Sequence, residues 1–163
     1  MAVLVRSAEG ARRIGCLMDE RASRLARAFW PGPLTIVVPC EGRFAPGVAR
    51  ADGALGLRCS PHPIARLLVS ALDDAGLGPL TSTSLNRSGQ DPAVDFDTAE
   101  EMISEGSEAG LERPLLFATL ETGLFCDAGA ERPSTVVDCT TRVPRVLRGG
   151  AIEPATLEAV WTL

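Results

Sequence analysis

Side chains able to do chemistry are most concentrated in residues 81–89, where hydroxyl groups and an amide follow one another in a short polar run. The run directly follows the apolar, strand-like residues 78–80. Burying such groups without hydrogen-bond partners costs several kcal/mol in total. Ser, Thr and Asn are also common in turns, because their side chains bond to nearby backbone groups. The segment is therefore either an exposed turn or the lining of a site for a polar ligand.

Arginine supplies all 16 basic side chains of the chain, which contains no Lys and no Tyr. The absence of Lys excludes a Gly-Lys-Ser/Thr phosphate-binding loop and a lysine Schiff base. His62 is the one histidine, so most His-based catalysis is excluded as well. Recognition of a phosphate or a carboxylate must then fall to Arg, backbone N–H groups and hydroxyls. The net charge of −5 gives no signal of a dominant nucleic-acid-binding role.

Length and composition favour a single domain over residues 1–163. No apolar run is long enough to span a membrane, and the first residues lack the pattern of a signal peptide. The five cysteines are widely spaced without a Cys-x-x-Cys pair, so neither a zinc site nor a disulfide framework is predicted. We expect Cys59 and Cys139 to be buried, inert thiols of a cytoplasmic protein.

The hydrophobic pattern predicts the elements that must position these groups. Strands are expected at residues 2–5, 34–38, 54–59, 115–118, 134–138 and 143–147. Helices are expected at residues 8–29, 63–76, 97–105 and from 154 onward. Pro144 interrupts the last strand and favours a sheet edge for it. The irregular alternation predicts an α/β (α+β-like) fold in which helices pack on a mixed sheet.

Four motifs lie along this framework. They are Phe-Trp-Pro-Gly-Pro-Leu-Thr at 29–35, Leu-Arg-Cys-Ser-Pro-His-Pro at 57–63, Ser-Thr-Ser-Leu-Asn-Arg-Ser-Gly at 82–89, and Ser-Thr-Val-Val-Asp at 134–138 with Leu-Arg-Gly-Gly-Ala-Ile at 147–152. In this order and at these distances, the set resembles the YrdC/YciO-type family of threonylcarbamoyl-AMP synthases. The first motif itself is interpreted as packing and chain reversal.

The resemblance implies a twisted mixed sheet with flanking helices around a deep, positively lined cavity. It also implies a nucleotidyltransferase that forms threonylcarbamoyl-AMP and pyrophosphate from ATP, bicarbonate and L-threonine, with Mg2+ entering on ATP. The product would serve the threonylcarbamoyladenosine modification of tRNA in the cytoplasm. The implied partners are the small-molecule substrates, tRNA or double-stranded RNA, and the downstream tRNA threonylcarbamoyl-transfer proteins.

The resemblance implies roles for individual residues, carried over position by position. The ATP contacts are Ser84, Asn86 and Arg148. The threonine contacts are Arg58, Ser82 and Ser134. The secondary cavity residues are Thr135 and Ser88. Neither a covalent catalytic residue nor a metal ligand is implied.

These residue types suit such ligands, since a guanidinium can donate two parallel hydrogen bonds to a carboxylate or a phosphate. Hydroxyls and an amide can form hydrogen bonds with a ribose, a base edge or an amino acid without adding charge to the site. Other interpretations of the same residues stay open. Asn86 and Ser88 could cap a turn, Arg58 could be a surface ion-pair partner, and Arg148 could be a surface residue.

The chain departs from the family at its beginning. Family members normally carry about fifty residues ahead of this start, including a Pro-Thr-x-Thr-x-Tyr-Gly-Leu-like segment and a Lys-x-Arg pair that hold the triphosphate. We therefore expect one YrdC-like domain that lacks those residues. Further departures are Arg6 for a histidine, Ala54 for a cavity threonine, Ser60 for a proline and Leu85 for a small residue.

Three functional hypotheses follow from the sequence. In the leading one, the chain belongs to a threonylcarbamoyl-AMP synthase. In the second, it is a catalytically degenerate module that binds a nucleotide or double-stranded RNA without chemistry, although the net charge of −5 disfavours an RNA-only role. In the third, it is a non-functional fragment in which the motif residues have persisted.

Overall fold

The computed structural model describes residues 1–86, 90, 93, 97–99, 101–102 and 132–162. The chain divides into two units, Met1–Ser82 with Glu131–Leu163, and Thr83–Ala130. In the second unit, residues 97–99 and 101–102 are helical, as predicted. The strand predicted at 115–118 lies outside the described residues. The expectation of a single domain stays a prediction.

A six-stranded mixed sheet forms the centre of the first unit. Its strands are β1 (Ala2–Leu4), β2 (Leu34–Pro39), β3 (Ala54–Arg58), β4 (Leu80–Ser82), β5 (Thr135–Asp138) and β6 (Arg145–Arg148). Their order is β4-β1-β3-β2-β5-β6. β1 runs parallel to β3 and β2 runs parallel to β5, whereas the other neighbours are antiparallel. The predicted mixed α/β architecture is confirmed, with β6 at an edge of the described sheet.

β2 lies near the middle of the described sheet and provides much of its core. Leu34 and Ile36 are fully buried, and Val38 is almost so. A strand covered on both faces needs a continuous apolar run rather than an alternating one. Thr35 is the one polar residue in that run, so its buried hydroxyl must find a hydrogen-bond partner.

The described residues of the first unit form four helices. They are α1 (Ala8–Arg13), α2 (Glu20–Phe29), α3 (Pro63–Asp74) and α4 (Pro154–Trp161). α2 contacts both β2 and α4. Leu25 of α2 and Leu157 of α4 are fully buried in the common core, with Trp161 nearly so. The helix predicted to begin at Pro154 is confirmed.

The prediction of one helix over residues 8–29 is wrong, because two helices occupy this stretch. Gly15 separates them with a φ of +88°, a conformation that glycine adopts without steric cost. A Cβ on Gly15 would lie 2.8 Å from the backbone N of Gly42, so a side chain would not fit there. Asp19 then begins the second helix by accepting a hydrogen bond from Ala22 N at 2.8 Å.

Residues 30–33 end α2 and reverse the chain into β2, as predicted. The Trp30–Pro31 peptide bond is cis. The Trp30 indole donates from Nε1 to Leu34 O at 2.8 Å, and Gly32 N donates to Cys59 O at 2.9 Å. The turn is therefore bonded both to the strand that it begins and to the end of β3.

α3 begins at Pro63, as its sequence predicts, but its apolar stripe is not buried. Val69 is the buried residue of the helix, while Leu67 and Leu68 are 69% and 51% exposed. The 3.6-residue periodicity thus indicated the helix correctly without indicating the face that packs on the sheet. Among the described residues, no helix combines the length and apolar character needed to cross a membrane.

An ion-pair network joins the β2–β3 connection to the end of β5. Arg50 donates to Asp138 at 2.8 Å and to Asp52 at 2.6 Å. Burial alone would raise the pKa of Asp138, but its hydrogen bonds from Arg50 and Thr140 outweigh this effect, so the pKa is lowered. The bond from Arg50 and one from Ala54 N lower the pKa of Asp52 to about 2. Both carboxylates are therefore held in their charged form.

Candidate functional site

A row of paired residues crosses four strands at one end of the sheet. Arg58 of β3 is paired with Thr35 of β2, which is paired with Val136 of β5. Val136 is in turn paired with Arg148 of β6. Paired residues of neighbouring strands point to the same face, and Ser134 shares this face because it lies two residues before Val136. The fold thus brings together Arg58, Ser134 and Arg148, with Thr35 among them.

Hydrogen bonds join Thr35, Ser134 and Arg148 into one cluster. Thr35 Oγ1 and Ser134 Oγ are 3.1 Å apart. Arg148 donates from Nη2 to Ser134 O at 2.8 Å and to Ser134 Oγ at 3.1 Å, and from Nε to Ser134 O at 3.3 Å. Thr35 and Ser134 are each only 6% exposed. The Ser134 hydroxyl is therefore held in place between a second hydroxyl and a guanidinium.

The Arg58 guanidinium is half-buried, and its Nε is buried without a hydrogen-bond partner in the described part of the chain. Burial, together with the nearby positive charge of Arg148, lowers the pKa of Arg58. The group nevertheless stays protonated near neutral pH, because arginine is effectively always charged. A partly buried cation without a counter-charge is costly, and an anion would offset that cost. Arg58 and Arg148 are therefore candidates for binding an anionic group.

The chain segment after β6 determines where Arg148 lies. Gly150 packs directly on the start of β5, where a Cβ would overlap the carbonyl oxygen of Pro133 and the backbone that follows it. Ala151 N donates to the same Pro133 oxygen at 3.0 Å. Only glycine fits such a close approach of two backbones. This contact fixes the end of β6 over Ser134.

Thr135 has a structural role on the face of β5 opposite to that of Ser134. Its hydroxyl donates to Ile152 O at 2.9 Å and accepts from Ile152 N at 3.0 Å. The residue is fully buried. Successive residues of a strand point to opposite faces, so the Thr135 side chain is directed away from that of Ser134. We therefore leave Thr135 out of the proposed site.

Ser82 is not part of the hydrogen-bonded cluster. It ends β4, which β1 separates from β3. It is paired with Ala2, whereas Arg58 is paired with Leu4 near the other end of β1. Ser82 is half-buried. Its contact with threonine stays a prediction.

Ser84 and Asn86 lie in the second unit and contact each other. Ser84 Oγ donates to Asn86 Oδ1 at 2.5 Å, and Asn86 Nδ2 donates to Gln90 O at 3.1 Å. Ser84 is exposed and Asn86 is half-buried. These bonds agree with the turn interpretation of the segment, and the exposed hydroxyl remains accessible to a ligand. Ser88 lies outside the described residues.

Thr35 is the member of the cluster that sequence reasoning missed. The motif at residues 29–35 was interpreted as packing and chain reversal, which Trp30 and the turn support. The available signal was a single hydroxyl in an otherwise apolar strand, Leu-Thr-Ile-Val-Val. A buried hydroxyl requires a partner, but the sequence does not show that the partner is Ser134.

Comparison with known proteins places this geometry in context. The family profile Sua5/YciO/YrdC, described as "Telomere recombination", matches residues 1–150. A Mycobacterium leprae (strain TN) protein is 33% identical over 146 residues, which are 88% of this chain and 57% of that protein. The threonylcarbamoyl-AMP synthase of Bacillus subtilis (strain 168) is 30% identical over 149 residues, which are 86% of this chain and 36% of that enzyme. The chain thus spans little more than half of these relatives, or less.

Solved structures agree with the sequence comparison. A structure of P. abyssi Sua5 has a TM-score of 0.74 and 25% identity, covering 98% of this chain and 44% of that one. A second structure, P. abyssi Sua5 complexed with L-threonine, has a TM-score of 0.74 at 24% identity and covers 98% and 42% of the two chains. The mixed sheet with flanking helices is therefore of the YrdC-like α/β class. The chain belongs to the Sua5/YciO/YrdC family, which confirms the resemblance.

Proposed function

We propose that this chain provides threonine- and ATP-binding residues of a threonylcarbamoyl-AMP synthase, a nucleotidyltransferase. The observation that carries the proposal is the pair of guanidinium groups, Arg58 and Arg148, on one face of the sheet, with no partner for Arg58 Nε among the described residues. The reaction would consume ATP, bicarbonate and L-threonine and release pyrophosphate. Relatives that carry this name support the choice of reaction.

Threonine would bind through its carboxylate to Arg58. A planar guanidinium offers parallel N–H donors that match the two carboxylate oxygens. The Ser134 hydroxyl, held by Thr35 and Arg148, lies on the same face for the polar groups of the amino acid. P. abyssi Sua5, whose fold this chain shares, has been solved in complex with L-threonine, which supports the assignment.

In the first unit, ATP would bind through Arg148. The ATP contacts that the family resemblance implies at Ser84 and Asn86 stay a prediction. The bonds from Arg148 to Ser134 use Nε and Nη2, so they leave the Nη1 donors for a phosphate oxygen. Mg2+ would enter as part of the MgATP substrate. Within the described residues, no group of three His, Cys, Asp or Glu side chains is placed to hold a metal ion.

The proposed chemistry is positioning and charge stabilisation without a covalent protein nucleophile. The threonine amine combines with bicarbonate to give a carbamate and water. A carbamate oxygen then attacks the α-phosphorus of ATP, and the bond from that phosphorus to the pyrophosphate oxygen breaks. Arg148 would stabilise the charge that develops on the phosphate oxygens, and Arg58 would fix the threonine carboxylate.

Two assays on the purified chain test this function. Calorimetry should detect L-threonine binding that Arg58→Met weakens by about 100-fold, with L-valine as the isosteric control that lacks the hydroxyl. Pyrophosphate release from MgATP should require both L-threonine and bicarbonate. Binding of neither threonine nor MgATP would overturn the proposal. Binding of MgATP without threonine-dependent release would instead favour the catalytically degenerate, nucleotide-binding alternative.

The product would pass to proteins that transfer the threonylcarbamoyl group to adenosine in tRNA, and we expect the chain to act in the cytoplasm. Direct binding of RNA by this chain is the weaker part of the proposal. The net charge of −5 opposes attraction of a polyanion. A filter-binding measurement with tRNA at low and physiological salt would show whether the acidic chain takes part in that recognition itself.

A further inference from the structure

Cys16 and Cys40 lie opposite each other in a short antiparallel bridge, between the segment that follows α1 and the residue after β2. Backbone hydrogen bonds flank the pair on both sides. They run from Leu17 N to Pro39 O at 2.8 Å and from Glu41 N to Gly15 O at 2.9 Å. The two cysteines therefore occupy a non-hydrogen-bonded position of the bridge, where facing side chains come closest together.

The two thiols are in direct contact, with 2.6 Å between the Sγ atoms. Cys16 is 2% exposed, whereas Cys40 is half-buried. Cys59 and Cys139 are buried, as expected from the sequence, and the Cys59 thiol donates to Arg6 O at 3.3 Å. Of the cysteines that the structure describes, only Cys16 and Cys40 face another thiol.

We propose that Cys16 and Cys40 form a redox-sensitive pair that closes to a disulfide when the protein meets a peroxide. This differs from the inert thiols that the sequence favours. The balance is two thiols and one hydrogen peroxide giving one disulfide and two waters. Each sulfur gives up one electron, the O–O bond breaks, the S–S bond forms, and both thiol protons leave in the water.

The exposures of the two thiols set the order of the steps. Cys40 reacts with the peroxide first, because it is the less buried of the two residues, and becomes a sulfenic acid. Cys16 stays protonated in its buried place, since burial and its hydrogen bond to Cys40 raise its pKa. The Cys16 sulfur then attacks the Cys40 sulfur, and its proton leaves with the displaced hydroxide as water.

The disulfide would cross-link the segment before α2 to the end of β2, at a distance from the proposed ligand site. Thr35 and Cys40 are five positions apart along an extended chain, which corresponds to roughly 17 Å. The bond would close the loop from Cys16 to Cys40, and this restriction of the unfolded chain should raise the melting temperature by about 5–10 °C. Binding of L-threonine should be unchanged, so the inference does not depend on the proposed function.

The test treats the full chain, carrying Cys126→Ser to remove a competing thiol, with hydrogen peroxide and then with an alkylating reagent. Trypsin should release residues 14–21 joined to residues 28–43, because these fragments end at arginines and carry one cysteine each. Dithiothreitol should separate them. The melting temperature should rise on oxidation and fall again on reduction.

The same treatment of Cys16→Ser should give neither the joined peptide nor the rise in melting temperature. Cys59→Ser, the matched control, should give both, because its thiol faces no other described thiol. Alkylation of both Cys16 and Cys40 after peroxide treatment would overturn the proposal, as would a joined peptide of different composition. An oxidised protein that melts at or below the melting temperature of the reduced protein would also contradict the proposal. Such a result would mean that the disulfide strains the antiparallel bridge.

Discussion

Arg58 shows how a residue that we propose for ligand binding can be unfavourable for its own fold. The guanidinium is half-buried with no ion-pair partner in the described residues, and the charge of Arg148 lies near it. Its lowered pKa means that the folded state disfavours the charged form relative to the unfolded chain. Arg58 is protonated in both the folded and the unfolded chain at neutral pH, so the cost of burying its charge does not vary with pH in this range. The proposed binding role of Arg58 therefore conflicts with stability at this position.

We therefore expect Arg58→Met to weaken L-threonine binding by about 100-fold, which corresponds to about 2.7 kcal/mol. The same variant should melt about 2–4 °C higher, because it removes a desolvated charge and keeps an apolar stem. Calorimetry and thermal unfolding measure the two effects. A variant that binds threonine normally and melts lower would contradict both.

Arg27→Met is the matched control for this change. Arg27 pairs with Glu20 at 3.2 Å, but both side chains are largely exposed. Exposed ion pairs contribute about 0–1 kcal/mol, so neither threonine binding nor the melting temperature should change by much.

Thr35 acts through Ser134 as a positioning residue in our proposal. Thr35→Val keeps the shape and removes the hydroxyl that lies 3.1 Å from Ser134 Oγ. Losing one hydrogen bond of about 1 kcal/mol should weaken threonine binding about 5-fold, whereas Thr35→Ser should retain it. Titration calorimetry measures the affinity of both variants for L-threonine. Equal affinities for the valine and serine variants would show that Ser134 needs no second partner.

The sequence was informative about the charged residues of the site and less so about their neighbours. Arg58 and Arg148 could be proposed because the motifs around them resemble a family and because no lysine competes with them. Thr35 could not, since its partner lies 99 positions away, and only the pairing of β2 with β5 brings the two together. Register across a sheet is not encoded in any one segment.

At the scale of elements, the sequence predicted most helices and strands but not the break within residues 8–29. A helical pattern extends through this stretch, and Gly15 is not by itself a stop signal. The break depends on a tertiary contact, because the chain at Gly15 passes against Gly42. The buried face of α3 was missed for a related reason, since periodicity does not say which neighbours an element will meet.

Gly15→Ala should destabilise the protein by about 2–4 kcal/mol, because it combines a positive φ with a Cβ that has no room. Gly47→Ala is the matched control, since Gly47 has a φ of +85° but an added Cβ there would meet no other atom within 4 Å. It should cost about 1–2 kcal/mol from the backbone alone. Denaturant unfolding of both variants separates the two contributions. Equal losses would mean that the contact with Gly42 relaxes freely.

At the scale of the whole molecule, the network of Arg50, Asp52 and Asp138 sets the response to acid. The folded pKa values of both carboxylates are lowered, whereas an unfolded Asp titrates near about 3.9. Their stabilisation is therefore complete above that value and is lost as the pH falls through the folded pKa values. Asp138 is 4% exposed, so its charge is stabilised by Arg50 and Thr140 rather than by water.

We expect Asp138→Asn to lower the free energy of unfolding by about 2–4 kcal/mol at pH 7. The difference from the parent chain should shrink as the pH approaches 3, since acid removes the same charge from the parent. Denaturant titrations between pH 7 and pH 3 measure it. A difference that stays constant over this range would show that Asp138 contributes through packing rather than charge.

The contact of Gly150 with the start of β5 has an evolutionary consequence. It anchors β6 from its far end, together with the bond from Ala151 N to Pro133 O and the bond from Ile152 N to the Thr135 hydroxyl. We therefore expect the turn between β5 and β6 to tolerate changes in length without displacing Arg148. A change in the length of the turn would leave the far end of β6 in place. In contrast, a methyl group at position 150 would overlap Pro133 O and push Arg148 away from Ser134.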